Sequence, residues 1–336
     1  MRSPDSRLPM LRSVLALALV AALGACGGGN GPLDPASEST AESPAESAAS
    51  NRVATEGLAA IVTAQRIAFV SSGPLSSVWM MNPIGAQVAP LFTQASGARS
   101  PAWSWDNAQV AMVRPRVSNG VSRDDILVMN ADGTNQHWAR SSASAWPFAD
   151  PTWAPGGSRI VMTVLVGGVA TLGWIEPATS KAGLLWFPGG GAVLGTRPSF
   201  NKGGTKILYV GPQHNTIEQI NPDGSGHVVR MTANAMLDYP SFSPDGTRIL
   251  FVRAAPLNGK GDIYVKNLTT GVATRLTSSS ASDSHPSWSP DGTRVAFMSE
   301  RTGKRQVYTM QAATGGDVLR LTKDDYYTGD EPAWTH

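Results

Sequence analysis

Residues 286–298 read PSWSPDGTRVAFM, and five other stretches repeat that outline. They are PAWSWDNAQVAMV from Pro101, PTWAPGGSRIVMT from Pro151, PSFNKGGTKILYV from Pro198, PSFSPDGTRILFV from Pro240, and a stub, PAWTH, from Pro332. Successive copies start 50, 47, 42, 46 and 46 residues apart, the length of one four-stranded propeller blade. An aromatic stands two residues after each proline (Trp103, Trp153, Phe200, Phe242, Trp288, Trp334). A turn follows, and then an apolar run such as Arg248-Ile249-Leu250-Phe251-Val252. This predicts a hairpin in every copy. In the two cleanest copies the turn is Ser-Pro-Asp-Gly, where proline presets φ and glycine takes the left-handed position. Elsewhere Gly157, Gly204 or Asn107 holds that position, and asparagine is the next residue to tolerate it.

Two more strands follow each hairpin. The third is Asp125-Ile126-Leu127-Val128-Met129, Asp262-Ile263-Tyr264-Val265 or Gln306-Val307-Tyr308-Thr309-Met310. The fourth ends in Arg230-Met231-Thr232, Arg275-Leu276-Thr277 or Arg320-Leu321-Thr322. Near the start, Arg66 to Val70 reads as a second strand, with Val78 to Met81 and Val88 to Thr93 as third and fourth, and no Pro-x-Trp strand precedes them. The stub at Pro332 supplies it. The expected fold is all-β: a six-bladed β-propeller of four-stranded antiparallel blades, closed by the C-terminal strand completing blade 1. Closure removes open sheet edges. A competing closing strand is Leu58-Ala59-Ala60-Ile61-Val62.

Ahead of the repeats, Arg2, Arg7 and Arg12 precede an apolar stretch from Val14 to Leu23, and Leu23-Gly24-Ala25-Cys26 ends at the only cysteine. The stretch is too short for a permanent membrane span and reads as a secretion signal. Residues 27 to about 60, rich in Gly, Ser, Ala, Pro and Glu, have the composition of a disordered tether reaching about 30 Å. The expected domains are therefore 1–25 signal, 26–60 tether and 61–336 propeller. The formal net charge is +2, but the signal itself carries +2, so the remainder sums to zero. That argues against a nucleic-acid partner, which needs a strongly basic face.

Two resemblances add to this reading. Leu23-Gly24-Ala25-Cys26 resembles the lipobox of a bacterial lipoprotein, which implies a lipidated Cys26 and, with Gly27 next, placement at the outer membrane facing the periplasm. The repeats resemble the WD-like propeller repeats of the TolB family, whose hallmark is Pro-x-Trp-Ser-Pro-Asp-Gly, a basic residue and Ile-Ala-Phe. Pro286 to Phe297 matches it closely, and the likeness covers roughly residues 60–336. The family's namesake has an α/β domain ahead of its propeller, for which there is no room between Cys26 and Arg66. The resemblance implies an envelope protein or peptide as partner, met at the channel mouth, with a monomeric propeller and a membrane attachment through lipid alone.

Catalytic signatures are lacking. There is no Gly-x-Ser-x-Gly elbow, Walker loop or His-Glu-x-x-His pair, and no residues remain for the hydrolase domain fused to some related propellers. The five histidines (His137, His214, His227, His285, His336) stand singly, so no metal and no cofactor is expected. The Asp-Gly pairs are explained by turns rather than calcium loops. Function then falls to the rim, where loops entering each first strand share a face with loops joining second and third strands. The candidate partner-binding residues are Asp150, Arg253, Asp283, His285, Arg301, Lys304, Asp325, Tyr326, Tyr327, Asp330 and Glu331. A solvated rim without a partner is the plain alternative. A glycan- or small-ligand-acting propeller is another, with Asp283, His285, Asp330 and Glu331 as candidate acid/base groups.

Overall fold

The computed structural model describes residues 65–336 apart from 72–76, 93–96, 119, 141–146, 255–258 and 324–328. The expected signal, tether, Cys26 and Leu58 to Val62 lie outside the described residues. Among the described residues, 24 strands form six separate four-stranded antiparallel sheets. Blade 2 is Arg99–Trp103, Gln109–Ser118, Val121–Asn130 and His137–Trp138. Blade 3 is Phe148–Trp153, Ile160–Val166, Val169–Glu176 and Lys181–Leu184. Blade 4 is Thr196–Phe200, Ile207–Val210, Thr216–Ile220 and Val228–Thr232. Blade 5 is Met236–Phe242, Arg248–Ala254, Gly261–Asn267 and Ala273–Arg275. Blade 6 is Asp283–Trp288, Arg294–Ser299, Gln306–Gln311 and Leu319–Arg320.

Blade 1 takes Ile67–Ser71, Ser77–Met81 and Ala89–Phe92 from one end of the repeat region and Gly329–Trp334 from the other. Ile67 pairs with Trp334, Ala68 with Ala333 and Ser71 with Gly329. Thr335 extends the seam, donating its N–H to the Arg66 carbonyl at 2.9 Å while its hydroxyl accepts the Arg66 N–H at 3.1 Å. The ring is closed by the strand that the repeat spacing assigned to it.

Strand alternation explains how blades stack. Successive side chains point to opposite faces, and in blade 2 Val110 and Met112 join a cluster with Met80 and Phe92 of blade 1. Ala111 and Val113, one residue out of phase, join Phe148, Trp153 and Ile160 of blade 3. Six such clusters, one per blade-to-blade interface, form the core. Three of the four repeat tryptophans add a directional tie, while Trp334 Nε1 is buried without a partner among the described residues. Trp103 Nε1 donates to the Ala333 carbonyl at 3.0 Å, Trp153 Nε1 to Ala102 at 3.1 Å and Trp288 Nε1 to Ser241 at 3.5 Å. In every case the acceptor follows the repeat proline of the preceding blade. Phe200 and Phe242 occupy the same station without a donor.

The Ser-Pro-Asp-Gly turn works as its residues dictate. Ser289 Oγ donates to Asp291 Oδ1 at 2.6 Å and accepts the Arg294 N–H at 2.9 Å, and Gly292 takes φ 67°. Asn107 holds the same place in blade 2 with φ 59°.

Candidate binding site at the channel mouth

Immediately before each repeat proline stands Ser100, Asp150, Arg197, Tyr239, His285 or Glu331. All six have left-handed backbones, with φ of 51°, 50°, 53°, 49°, 50° and 47°. At each one the register between first and second strands shifts. In blade 6, Ser284 pairs with Met298 and Ser287 with Ala296, so His285 and Pro286 together oppose Phe297. This is a β-bulge, a device that re-aims a side chain. Here it brings the six side chains, with all six repeat prolines beneath them, around a cavity of about 360 Å³ at one end of the channel.

The conformation costs a residue with a Cβ roughly 1–2 kcal/mol, and glycine would avoid most of that cost. None of the six is glycine. Strained backbone of this kind collects where a side chain has work to do.

Three of the six pack against one another, with the Tyr239 and His285 rings tilted by 48°. The Arg197 guanidinium lies 4.2 Å over the Tyr239 ring, donates to the Tyr239 hydroxyl at 3.0 Å and pairs with Asp238 at 3.0 Å. On Tyr239 also rests the His285 ring, 4.1 Å away between centroids. Burial pushes the Tyr239 phenol and the Asp238 carboxyl up, with Arg197 pulling both back.

The acidic side of the ring runs through blades 6, 1, 2 and 3. His285 Nδ1 lies 2.9 Å from Ser284 Oγ and 3.5 Å from Asp330 Oδ1, and its Nε2 is 4.0 Å from Glu331 Oε1. Burial holds the imidazole below its usual pKa, against the pull of Asp330, so it is neutral at pH 7. Asp330 accepts Arg305 Nη1 at 2.7 Å. Glu331 accepts the Ser100 backbone N–H. Its carboxyl is pushed up to about 7, first by burial, then by Asp330 and Asp150, against that hydrogen bond. Asp150 accepts the Thr163 hydroxyl at 3.0 Å, and the same hydroxyl oxygen takes the Arg197 N–H at 3.0 Å.

Of the residues singled out from sequence, Asp150, His285 and Glu331 line this mouth, and Asp330 stands behind it against His285 and Arg305. Asp283 does not reach the rim. It is fully buried, its carboxylate receives Arg301 Nη2 at 3.2 and 3.3 Å, and Arg301 in turn lies over Tyr308 at 4.7 Å. That pair braces blade 6. Arg253 and Lys304 are exposed outside the cavity. Asp325, Tyr326 and Tyr327 lie outside the described residues. Ser100, Arg197 and Tyr239 escaped the sequence reading, although one signal marks all six: the position preceding each repeat proline. The opposite end of the channel opens into a second cavity of about 390 Å³. There the His336 ring stacks on Trp105 at 3.9 Å, and Asn107 bonds both its backbone N–H and carbonyl at 2.9 Å. Among the described residues no group of three or more His, Cys, Asp or Glu could hold a metal ion.

Residues 233–336, blade 5 onward, match the model of the TolB beta propeller domain. The chain is a six-bladed β-propeller whose last two blades match that family model. Its fold is similar to TolB from Acinetobacter baumannii, with a TM-score of 0.67 at 19% identity over 81% of this chain and 66% of that one. It thus spans about two thirds of that TolB. Similar folds occur in a chain of a nidogen/laminin complex, with a TM-score of 0.59 at 12% identity over 81% of this chain and 98% of that one. An oligogalacturonate lyase in complex with manganese gives a TM-score of 0.50 at 14% identity over 81% of this chain and 76% of that one. At these identities the likenesses show the β-propeller fold alone.

Proposed function

We propose that this protein is a non-enzymatic module of the bacterial cell envelope, anchored by lipid at Cys26 to the outer membrane facing the periplasm, whose channel mouth binds a protein or peptide partner. The observation that carries the reading is the ring itself. Six blades spend left-handed backbone at the same station to hold six different polar or aromatic side chains around one concavity. Arg and Tyr, which meet here at Arg197 and Tyr239, are among the side chains that dominate protein interfaces. The TolB-like repeats agree with an envelope role, and the nidogen/laminin complex includes a chain of similar fold.

The test is photo-crosslinking in intact cells. Probes at Arg253 and Lys304 sample the mouth face, and a probe at Asp245 samples the opposite one. One partner captured from the mouth face alone, and lost when Tyr239 is replaced by alanine, is the expected result. Equal capture from both faces, or capture indifferent to Tyr239, overturns the reading.

A second reading has one observation in its favour: a carboxyl with a pKa of about 7 at Glu331 faces a neutral imidazole at 4.0 Å in a concave site. Such a pair suits proton transfer on a glycan or small ligand. Turnover of acidic or neutral oligosaccharides by the wild type, abolished in Glu331→Gln and His285→Ala, would replace the binding reading.

A further inference from the structure

The charges around the mouth are unevenly matched. Each arginine nearby already has an acid of its own: Arg99 with Asp124 at 2.5 Å, Arg197 with Asp238 at 3.0 Å and Arg305 with Asp330 at 2.7 Å. Asp150 and Glu331 have no Lys or Arg within ion-pair distance among the described residues, and their direct partners are neutral donors, the Thr163 hydroxyl and the Ser100 N–H. The histidine beside Glu331 is kept neutral by burial and adds no positive charge.

Geometry places the two acids around a gap. Glu331 belongs to blade 1 and Asp150 to blade 3, and between them blade 2 contributes Ser100, the smallest of the six ring side chains. Across the cavity stand Arg197, Tyr239 and His285; the two terminal guanidinium nitrogens of Arg197 are taken by Asp238 and the Tyr239 hydroxyl, and its Nε is buried without a partner among the described residues. On the side of the cavity formed by blades 1 to 3, negative charge therefore has no direct counter-ion among the described residues, and Arg99 and Arg197 act on Glu331 and Asp150 only from beyond ion-pair distance. Burying a carboxylate without one is costly, and a cation brought in by a ligand removes that cost. An anionic ligand would meet two carboxylates and an already paired arginine.

We infer that the mouth receives a positively charged group of a peptide, a Lys or Arg side chain or an N-terminal ammonium, in the gap over Ser100 between Asp150 and Glu331. This rests on the reading of the mouth as a peptide site and specifies its chemistry. Specificity follows from the site: norleucine, which keeps the four-carbon stem of lysine without its ammonium, would leave both acids unpaired.

The experiment is an array of random heptapeptides with the central residue fixed as Lys, Arg, norleucine or Glu and with free or acetylated N-termini, probed with the full chain. Wild type, the double variant Asp150→Asn/Glu331→Gln, Tyr239→Ala, and an Asp132→Asn control in a turn at the far end of blade 2 are compared, each first shown to melt cooperatively. At least about tenfold stronger signal for Lys, Arg or a free N-terminus than for norleucine or Glu is expected, about 1.4 kcal/mol or more. That preference should vanish in the double variant and persist in the control. Binding without a basic preference, or a preference surviving in the double variant, overturns the inference. If that residual binding still falls in Tyr239→Ala, the mouth remains a peptide site. If it does not, or if no peptide binds, the peptide reading falls with it.

Discussion

Replacing Glu331 with Gln should stabilise the protein, and by an amount that depends on pH. The carboxyl is held at about 7 against an ordinary value of 4.5. At 1.36 kcal/mol per unit, the folded state carries a penalty of up to about 3 kcal/mol once Glu331 is ionised. The sign follows from proton counting. Above pH 7 both folded and unfolded chains have lost the proton and the full penalty stands. Between pH 7 and 4.5 the folded chain keeps the proton that the unfolded chain releases, so stability rises as pH falls. Below 4.5 both states are protonated and the penalty is gone. His285 works in the opposite direction at acidic pH, because its depressed folded pKa means that the unfolded chain takes up the proton first. The difference between variant and wild type isolates Glu331. Glutamine keeps an acceptor for the Ser100 N–H, so chemical denaturation at pH 8, 6 and 4.5 should show Glu331→Gln ahead by about 3, 2 and 0 kcal/mol. At roughly 2–4 °C per kcal/mol the gain at pH 8 is visible in a thermal melt. A variant that is less stable at pH 8, or a difference that ignores pH, would refute the claim that an uncompensated charge is stored at the mouth.

Other expectations concern the frame and its anchor. A β-carbon at Gly224 would stand 1.9 Å from the Trp186 carbonyl oxygen at φ 82°. Gly224→Ala should therefore cost roughly 2–4 kcal/mol in a urea titration, and a loss under 1 kcal/mol would contradict the tight blade contact there. Deleting Pro332 to His336 removes the buried Trp334 and most of the closing seam. Loss of the tryptophan alone should cost about 3–5 kcal/mol, and an unchanged melt would point to Leu58 to Val62 as the closing strand. Cys26→Ser should shift the protein from the membrane to the soluble fraction, and retention with membranes would sink the lipid anchor.

The frame was legible because its signals are local and repeated. Proline, an aromatic two residues later and a left-handed turn residue recur at blade spacing, so each copy checks the others. Residues 332–334 announced ring closure because they carry the Pro-x-Trp first-strand motif that is missing ahead of Arg66 to Val70. The mouth was only half legible, for a physical reason. Asp150, His285, Asp330 and Glu331 stood out as charged residues entering a strand, but the reading assumed regular alternation, and a bulge breaks it. Nothing in ordinary strand periodicity says that the residue before the proline turns into the channel, so Ser100, Arg197 and Tyr239 were not singled out. Asp283 failed in the other sense. Two residues upstream of His285 it remains on the regular part of the strand, where it is buried against Arg301. Whether a charged strand entrance faces solvent, core or channel is decided by that one-residue bulge.

The central claim is that the ringed mouth binds a partner. The most direct measurement is a calorimetric titration of the partner captured from the mouth face onto wild type and onto Tyr239→Ala at pH 7.5, with both propellers shown to melt alike. The account predicts a loss of at least about tenfold in affinity, as for a residue at the centre of an interface. Equal affinity for the two proteins would contradict it.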